Sequence, residues 1–226
     1  MAQTDTLSIS VSQVPPYATP ERDGFEDSIA TEMYARLGFK VRFRDVPAER
    51  GLQDLDHGID DGTLARNPGM ANRYPNLVQF NEPVLERHYV AFSKGLILDT
   101  SDWTSLADYR VGIVIGWKIL ERNITKAKAL IKVRDSETLF RMLERERIDV
   151  AVFNKWGGLG KIEELGIKGI VAHEPPFAKR SVYYYVHKSR ADLATRGSAI
   201  LREMKADGTY QRIFDATLGT VTTPAS

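Results

Sequence analysis

Apolar and polar positions change period several times along this chain, and each change marks an element. Leu7, Ile9 and Val11 alternate with Ser8, Ser10 and Ser12, the period of two expected of a strand with one buried face. Pro15-Pro16 ends that strand, because neither residue can donate to a ladder, and holds Tyr17 in a stiff loop. From Phe25 to Leu37 the period is helical: Ile29, Met33 and Leu37 share a face, Glu26 and Asp27 sit where acids favour the helix dipole, and Gly38 follows as a cap. Val41 and Phe43 between Arg42 and Arg44 predict a second strand. Leu52 and Leu55 predict a short helix from Ala48 to Asp56, closed by Gly58. A third strand-like run breaks at Asn67-Pro68-Gly69, a turn set by the fixed φ of proline. Strand, helix, strand, helix, strand with short connections implies right-handed crossovers on a largely parallel sheet.

After a mixed run, Arg87-His88-Tyr89-Val90-Ala91-Phe92, that can carry the backbone from one sheet to another, the pattern restarts at Asp102. Trp103 to Tyr109 predicts a turn and short helix. Val111, Ile113, Val114 and Ile115 form a nearly continuous apolar strand of the kind buried on both faces, ended by Gly116-Trp117. A helix-like segment reaches Leu130, and Ile131 to Val133 is a short strand. Asp135 or Ser136 caps a helix striped by Leu139, Met142 and Leu143. Ile148, Val150 and Val152 make a strand with Asn154 to Gly158 as its loop, then a short helix carries Ile162 and Leu165 and a strand runs from Ile167 to Val171. Beyond Pro175-Pro176, the run Val182 to Val186 reads as a return crossing, Asp192 to Ala206 as a helix, and Tyr210 to Leu218 as a further helical turn or two. The tail from Thr220 is small and polar and is expected to fray. The fold class is α/β with two lobes, each a mostly parallel sheet flanked by helices, joined by two crossover strands as a hinge. Residues 1–92 and 186–226 form the first lobe, 93–185 the second, with the ligand cleft between them.

Composition narrows the chemistry. With 31 Lys and Arg against 30 Asp and Glu the net charge is +1, so no general field draws nucleic acid or an anionic membrane. The absence of cysteine removes disulfides, thiolate catalysis and cysteine metal sites. Met1 to Thr6 lacks the charged and apolar regions of a secretory signal, which leaves a cytosolic protein or an exported one without its leader. His57, His88, His173 and His187 stand singly with no partner at metal spacing, so no metal is expected. The glycines of Trp156-Gly157-Gly158-Leu159-Gly160 lack the spacing of a phosphate loop, and no Gly-x-Ser-x-Gly elbow occurs. No catalytic set and no cofactor are expected, and binding is the more economical role. The stretch from Asp60 to Phe92 is its centre, because Arg66 and Arg73 flank the turn at a strand end, where ligands are usually met. Tyr17 either stacks on a ligand or lies on the core.

Several motifs, in order, resemble the type 2 periplasmic solute-binding proteins of ABC importers, in the family 3 branch that includes polar amino acid receptors. They are Pro15-Pro16-Tyr17, Gly24-Phe25, Leu37-Gly38, Gly58-Ile59-Asp60-Asp61 and Phe80-Asn81-Glu82-Pro83 in the first half. In the second half they are Val111-Gly112 with Gly116, Asp149-Val150-Ala151-Val152, and Met204 with Asp207-Gly208-Thr209-Tyr210. The resemblance implies an arginine pairing bidentately with a ligand carboxylate, a geometry that suits the guanidinium fork. Arg73 lies nearest the family position, one residue further from Phe80 than usual, and Arg66 is its rival. Where the family has Ser or Thr after the second-lobe glycine, this chain has Trp117. Where it has an Asp for the ligand ammonium, this chain has Asn154, and a neutral residue there leaves a buried ammonium uncompensated at a cost of several kcal/mol.

These departures point to a small carboxylate other than a standard α-amino acid, aromatic or flat in one form, with Arg66 or Arg73 as anchor. Tyr17, Gly116, Trp117, Asn154 and Trp156 complete the expected site, with packing as the competing role for both tryptophans. The implied protein is a periplasmic, monomeric receptor that delivers its ligand to an ABC permease in the inner membrane. Two alternatives stand beside it: a dehydratase-like or lyase-like enzyme using Glu82, Glu86 or His88, and a ligand-sensing module of a signalling system.

Overall fold

Strands and helices alternate as the periodicities require in the computed structural model, which describes residues 5–221. In chain order they are β1 (Thr6–Val11), α1 (Phe25–Arg36), β2 (Lys40–Asp45), α2 (Ala48–Asp56), β3 (Gly62–Arg66), β4 (Leu77–Gln79), β5 (Leu85–Lys94), β6 (Arg110–Val114) and α3 (Lys118–Asn123). There follow β7 (Ala129–Val133), α4 (Ser136–Glu144), β8 (Val150–Asn154), α5 (Lys155–Glu164), β9 (Ile170–Ala172), β10 (Ala178–His187), α6 (Ala191–Ala206) and α7 (Thr209–Ala216). Among the described residues two compact units result, residues 5–86 with 180–220 and residues 87–179 with 221. The chain passes between them inside β5 and again inside β10, at positions six residues earlier than the lobe boundaries read from the sequence.

The first unit orders its strands β2-β1-β3-β10, with β4 on β10. β1 runs parallel to β2 and β3, while β10 is antiparallel to both β3 and β4. Ile29 and Met33 of α1 are fully buried, as are Leu7, Ile9 and Val11 of β1. Phe25 meets Tyr210 edge-on at 5.4 Å, which ties the start of α1 to α7. Asp60 is completely buried, and Arg44 answers it: Nε donates to Asp60 Oδ1 at 3.0 Å, and Nη2 contacts both Asp60 and Asp54. Ser8 Oγ adds a bond to Asp60 at 2.7 Å, and Asp61 takes Arg190 Nε at 2.9 Å. Both acids of the Gly58-Ile59-Asp60-Asp61 motif are therefore held within the first unit, since a buried carboxylate is tolerable only when paired and hydrogen-bonded.

The second unit orders its strands β5-β8-β6-β7, with β9 on β5. β8 and β7 flank β6 in parallel, and β5 is antiparallel to β8 and β9. Asp135 is the cap of α4, its carboxylate accepting from the Thr138 backbone N–H at 2.7 Å. Two expectations shift. The helix-like run to Leu130 stops at Asn123: β-branched Ile124 leaves the helical region, its ψ at 77°, and Leu130 belongs to β7. Asn154 to Gly158 is not a loop. Asn154 caps α5, whose helix begins at Lys155 and contains both glycines. Gly158 is there for closeness, because a Cβ would stand 2.3 Å from Phe92 Cζ and 3.1 Å from Phe140 Cζ, two buried rings packed edge-on. At the chain's end Thr220 Oγ1 donates to the Thr217 carbonyl at 2.6 Å, and the rest of the expected frayed tail lies outside the described residues.

The glycine in α5 is a direct test of this packing. Gly158→Ala improves helix propensity yet forces two aromatic rings off their rotamers, so a net loss of about 1–3 kcal/mol is expected. Urea unfolding measures it; a more stable variant would show that Phe92 and Phe140 repack freely.

Candidate functional site

The carboxyl end of β3 is where the first unit departs from regular sheet pairing. β1 pairs with β3 at Gly62 and Thr63, while β3 continues to Arg66. At Ala65, which is buried, side chains serve the backbone: its N–H donates to Glu26 Oε2 at 3.2 Å and its carbonyl accepts from Arg66 Nη1 at 3.1 Å. Glu26, only 3% exposed, is held from two more directions, its N–H donating to the Tyr17 carbonyl at 2.7 Å and its own carbonyl accepting from Tyr184 Oη at 2.7 Å. Tyr17, Glu26 and Arg66 are thus linked through Ala65 in one cluster, with Tyr17 itself buried.

The loop carrying Tyr17 is fastened by the first turn of α1. Asp27 Oδ2 accepts from the Thr19 backbone N–H at 2.8 Å, and a Cβ on Gly24 would lie 2.6 Å from the Tyr17 carbonyl oxygen, so only glycine allows the approach. Burial pushes the Asp27 carboxyl up to about 6; the Thr19 N–H and the Arg22 guanidinium, 4.0 Å away, offset part of that and Glu26 adds to it.

Arg73 lies elsewhere. It is exposed, its Nη2 donates to Glu49 Oε1 of α2 at 2.7 Å, and its guanidinium stands 5.3 Å over the Tyr74 ring. Between the two arginines the turn at Asn67 is clamped by Tyr185, whose hydroxyl donates to the Asn67 carbonyl at 2.8 Å and contacts Gln79 Oε1 at 2.6 Å.

In the second unit the expected site residues all have partners of their own. The Gly116 N–H donates to Glu121 Oε1 at 3.3 Å, and Glu121 is also bonded to Lys118 at 2.8 Å. Trp117 stacks on Phe153 at 4.4 Å with the planes 20° apart and meets Tyr89 edge-on at 5.6 Å. Asn154, 4% exposed, spends Oδ1 on the Gly157 N–H at 2.8 Å as the cap of α5. Trp156 lies 5.3 Å from the His88 ring. Of the acid–base candidates, Glu82 is occupied in the first unit by Lys205 at 2.6 Å and Arg202 at 3.3 Å. The sequence reading gave Glu26 only a dipole role; the signal for more was an acid directly after Gly24-Phe25, in the first turn behind the Tyr17 loop. Among the described residues no cluster of His, Cys, Asp and Glu could hold a metal ion.

A sequence profile described as bacterial extracellular solute-binding proteins, family 3, matches residues 7–220. The chain belongs to that family. Its relatives include the L-cystine-binding protein TcyA of Bacillus subtilis strain 168, 23% identical over 198 residues that cover 86% of this chain and 72% of that protein. An ancestral arginine-binding protein bound to glutamine has the same fold, with a TM-score of 0.72 at 21% identity, covering 96% of this chain and 99% of that one. A histidine kinase sensor domain similar to periplasmic binding proteins reaches 0.73 at 20% identity, with 98% of each chain covered. The family is one of binding proteins, and its solute-binding members take small ligands and work with ABC permeases. No helix among the described residues is long and apolar enough to cross a membrane.

Asp27 supplies a pH signature. A carboxyl whose folded pKa lies above its unfolded value favours the fold when protonated, so this contribution is complete below about pH 4 and is lost as pH rises through about 6. Asp27→Asn keeps an acceptor for the Thr19 N–H and removes the titration. The variant is expected to gain on the wild type by on the order of 1–3 kcal/mol between pH 4 and pH 7. Urea unfolding of both proteins across that range measures the gap, and a gap independent of pH would show that Asp27 does not titrate there.

Proposed function

We propose that this protein is the periplasmic receptor of an ABC importer and that it captures a small carboxylate other than a standard α-amino acid. Arg66 is the anion anchor, and capture proceeds by hinge closure at the two chain passages inside β5 and β10. The observation that carries the ligand assignment is the difference in place between the two arginines: Arg66 is half-buried at the end of β3 next to Ala65, to which Glu26 is also bonded, whereas Arg73 is exposed against Glu49 of α2. Asn154 supports the exclusion of α-amino acids. It is neutral and its side-chain oxygen is committed to capping α5, and an ammonium buried against it would lack a counter-charge. Tyr17 is buried in the first unit and the Trp117 ring is stacked on Phe153, so neither ring argues for an aromatic ligand body. The fold shared with a histidine kinase sensor domain favours a second reading, a ligand-sensing module using the same site.

Thermal unfolding against paired ligands tests the proposal, each α-amino acid beside the same acid without its α-ammonium. A ligand present at a hundred times its Kd stabilises the fold by about 2.7 kcal/mol. Acids lacking the α-ammonium are expected to raise the midpoint. Arg66→Ala is expected to abolish the shift and Arg73→Ala to leave it intact. Equal stabilisation by common α-amino acids would overturn the Asn154 assignment, and a response lost only in Arg73→Ala would move the anchor.

A further inference from the structure

Two depressions flank the turn between α4 and β8, and their charges are used differently. One, of about 240 Å³, is lined by Lys94, Arg110, Glu146 and Asp149 among others, and these four are paired: Lys94 Nζ stands 3.1 Å from Glu146 Oε1 and Arg110 Nη2 2.6 Å from Asp149 Oδ1. The other, of about 360 Å³, is a groove against α4 that carries three guanidiniums, those of Arg141, Arg145 and Arg147. Arg141 meets Glu144 at 3.0 Å in a half-exposed i,i+3 pair, a contact that holds it only weakly. Arg145 and Arg147 are exposed and form no ion pair among the described residues.

The local fold brings the third arginine to the groove. Arg145 closes α4, and the backbone then turns through the left-handed region at Glu146, where φ is 55°. In that turn the Glu146 N–H donates to the Leu143 carbonyl at 3.0 Å and the Arg147 N–H to the Met142 carbonyl at 2.9 Å, which folds Arg147 back toward Met142, the apolar residue of the groove. A cation at the end of a helix suits its dipole, and that accounts for Arg145; it does not account for three cations around one hollow. At the start of α4 stand Asp135 and Glu137, of which Asp135 is already the helix cap. These acids confine an anion to the arginine end.

We infer that this groove docks an extended acidic segment of a partner protein. Arg141 and Arg145 are four residues apart on the helix, which puts their Cβ atoms roughly 6 Å from each other. Alternate side chains of an extended chain lie about 6.6 Å apart on one face. Acids at every second position therefore meet successive guanidiniums, each able to take a carboxylate with two parallel bonds. Five of the seven residues lining the groove are charged, unlike the mostly apolar wall of a small-molecule pocket, and arginine and methionine are favoured where proteins meet. None of these residues belongs to the expected solute site, so docking here does not depend on the identity of the solute.

An NMR shift titration of the full chain with two capped peptides, Glu-Thr-Glu-Thr-Glu and its isomer Glu-Glu-Glu-Thr-Thr, tests the assignment. The alternating peptide is expected to shift backbone amides between residues 135 and 147 and to bind about threefold tighter than the isomer, the scale of one exposed ion pair. Arg145→Gln with Arg147→Gln is expected to weaken it about tenfold, the scale of two. Lys126→Gln with Lys168→Gln, which removes two exposed cations elsewhere in the second unit, is expected to leave its affinity unchanged. No shifts in that segment, equal affinity for the two peptides, or an equal loss in both double variants would reduce the groove to unspecific charge and overturn the inference. Citrate or inorganic phosphate producing the same shifts at the same concentration would give the groove to a small anion instead of a protein.

Discussion

A buried strand must find a partner for every peptide group, and β3 meets that requirement in three ways. β1 serves Gly62 and Thr63, β10 pairs with Gly62, Thr63 and Arg66, and at Ala65 the partners are the side chains of Glu26 and Arg66. The handover from backbone to side chain brings charge to this end of the sheet. It also fixes what must surround it. Glu26 can reach Ala65 only if α1 starts close behind the Tyr17 loop, and that closeness needs a residue without a Cβ at Gly24 and an acceptor for the Thr19 N–H at Asp27. Tyr184, buried on β10, completes the support by donating to the Glu26 carbonyl.

The two units use their polar residues differently. In the first, buried acids are matched in place: Arg44 holds Asp54 and Asp60, and the guanidinium in turn keeps the Asp54 carboxyl below the usual range. Such pairs contribute little net stability after desolvation, but losing one partner leaves a buried charge alone, so they fix the geometry strictly. The second unit relies on rings. Phe92, Phe140, Phe153 and Trp117 form a connected series of edge and stacked contacts from α4 to the loop after β6. Gly158 lets α5 close on that series.

Secondary structure was legible where periodicity was strong. The helix from Ala48 to Asp56 has the bounds its leucines implied, and the cap at Asp135 was visible as an acid before an apolar stripe. The α5 start was not legible, because two glycines in sequence signal a loop unless the rings they face are known. The family could be recognised from the order of short motifs, since these encode turns and close approaches that any chain of the fold must repeat. The chemistry was harder. Sequence favoured Arg73 by its place in the motif order, whereas the structure puts Arg66 half-buried at the end of β3 on the Ala65 carbonyl and Arg73 exposed against Glu49 of α2. Glu26 was hidden for a related reason: an acid in a first helical turn has an adequate explanation in the helix dipole, and its bond to a strand 39 residues away leaves no local trace.

Where an anion can be held follows from what the second unit has already spent. A backbone N–H at Gly116 would suit a carboxylate, but Glu121 occupies it, and that glutamate is itself braced by Lys118 at 2.8 Å and Lys132 at 3.7 Å, which lower its pKa and keep it charged. An incoming anion would have to displace a charged side chain from its own partners. Trp117 adds nothing to attract one, with its ring on Phe153 and its edge toward Tyr89. The guanidinium of Arg66 is a stronger and more directional donor than either, and it carries its charge at any physiological pH. In the carboxylate reading we propose, anion recognition therefore falls to Arg66 of the first unit, and the second unit contributes a neutral residue at Asn154.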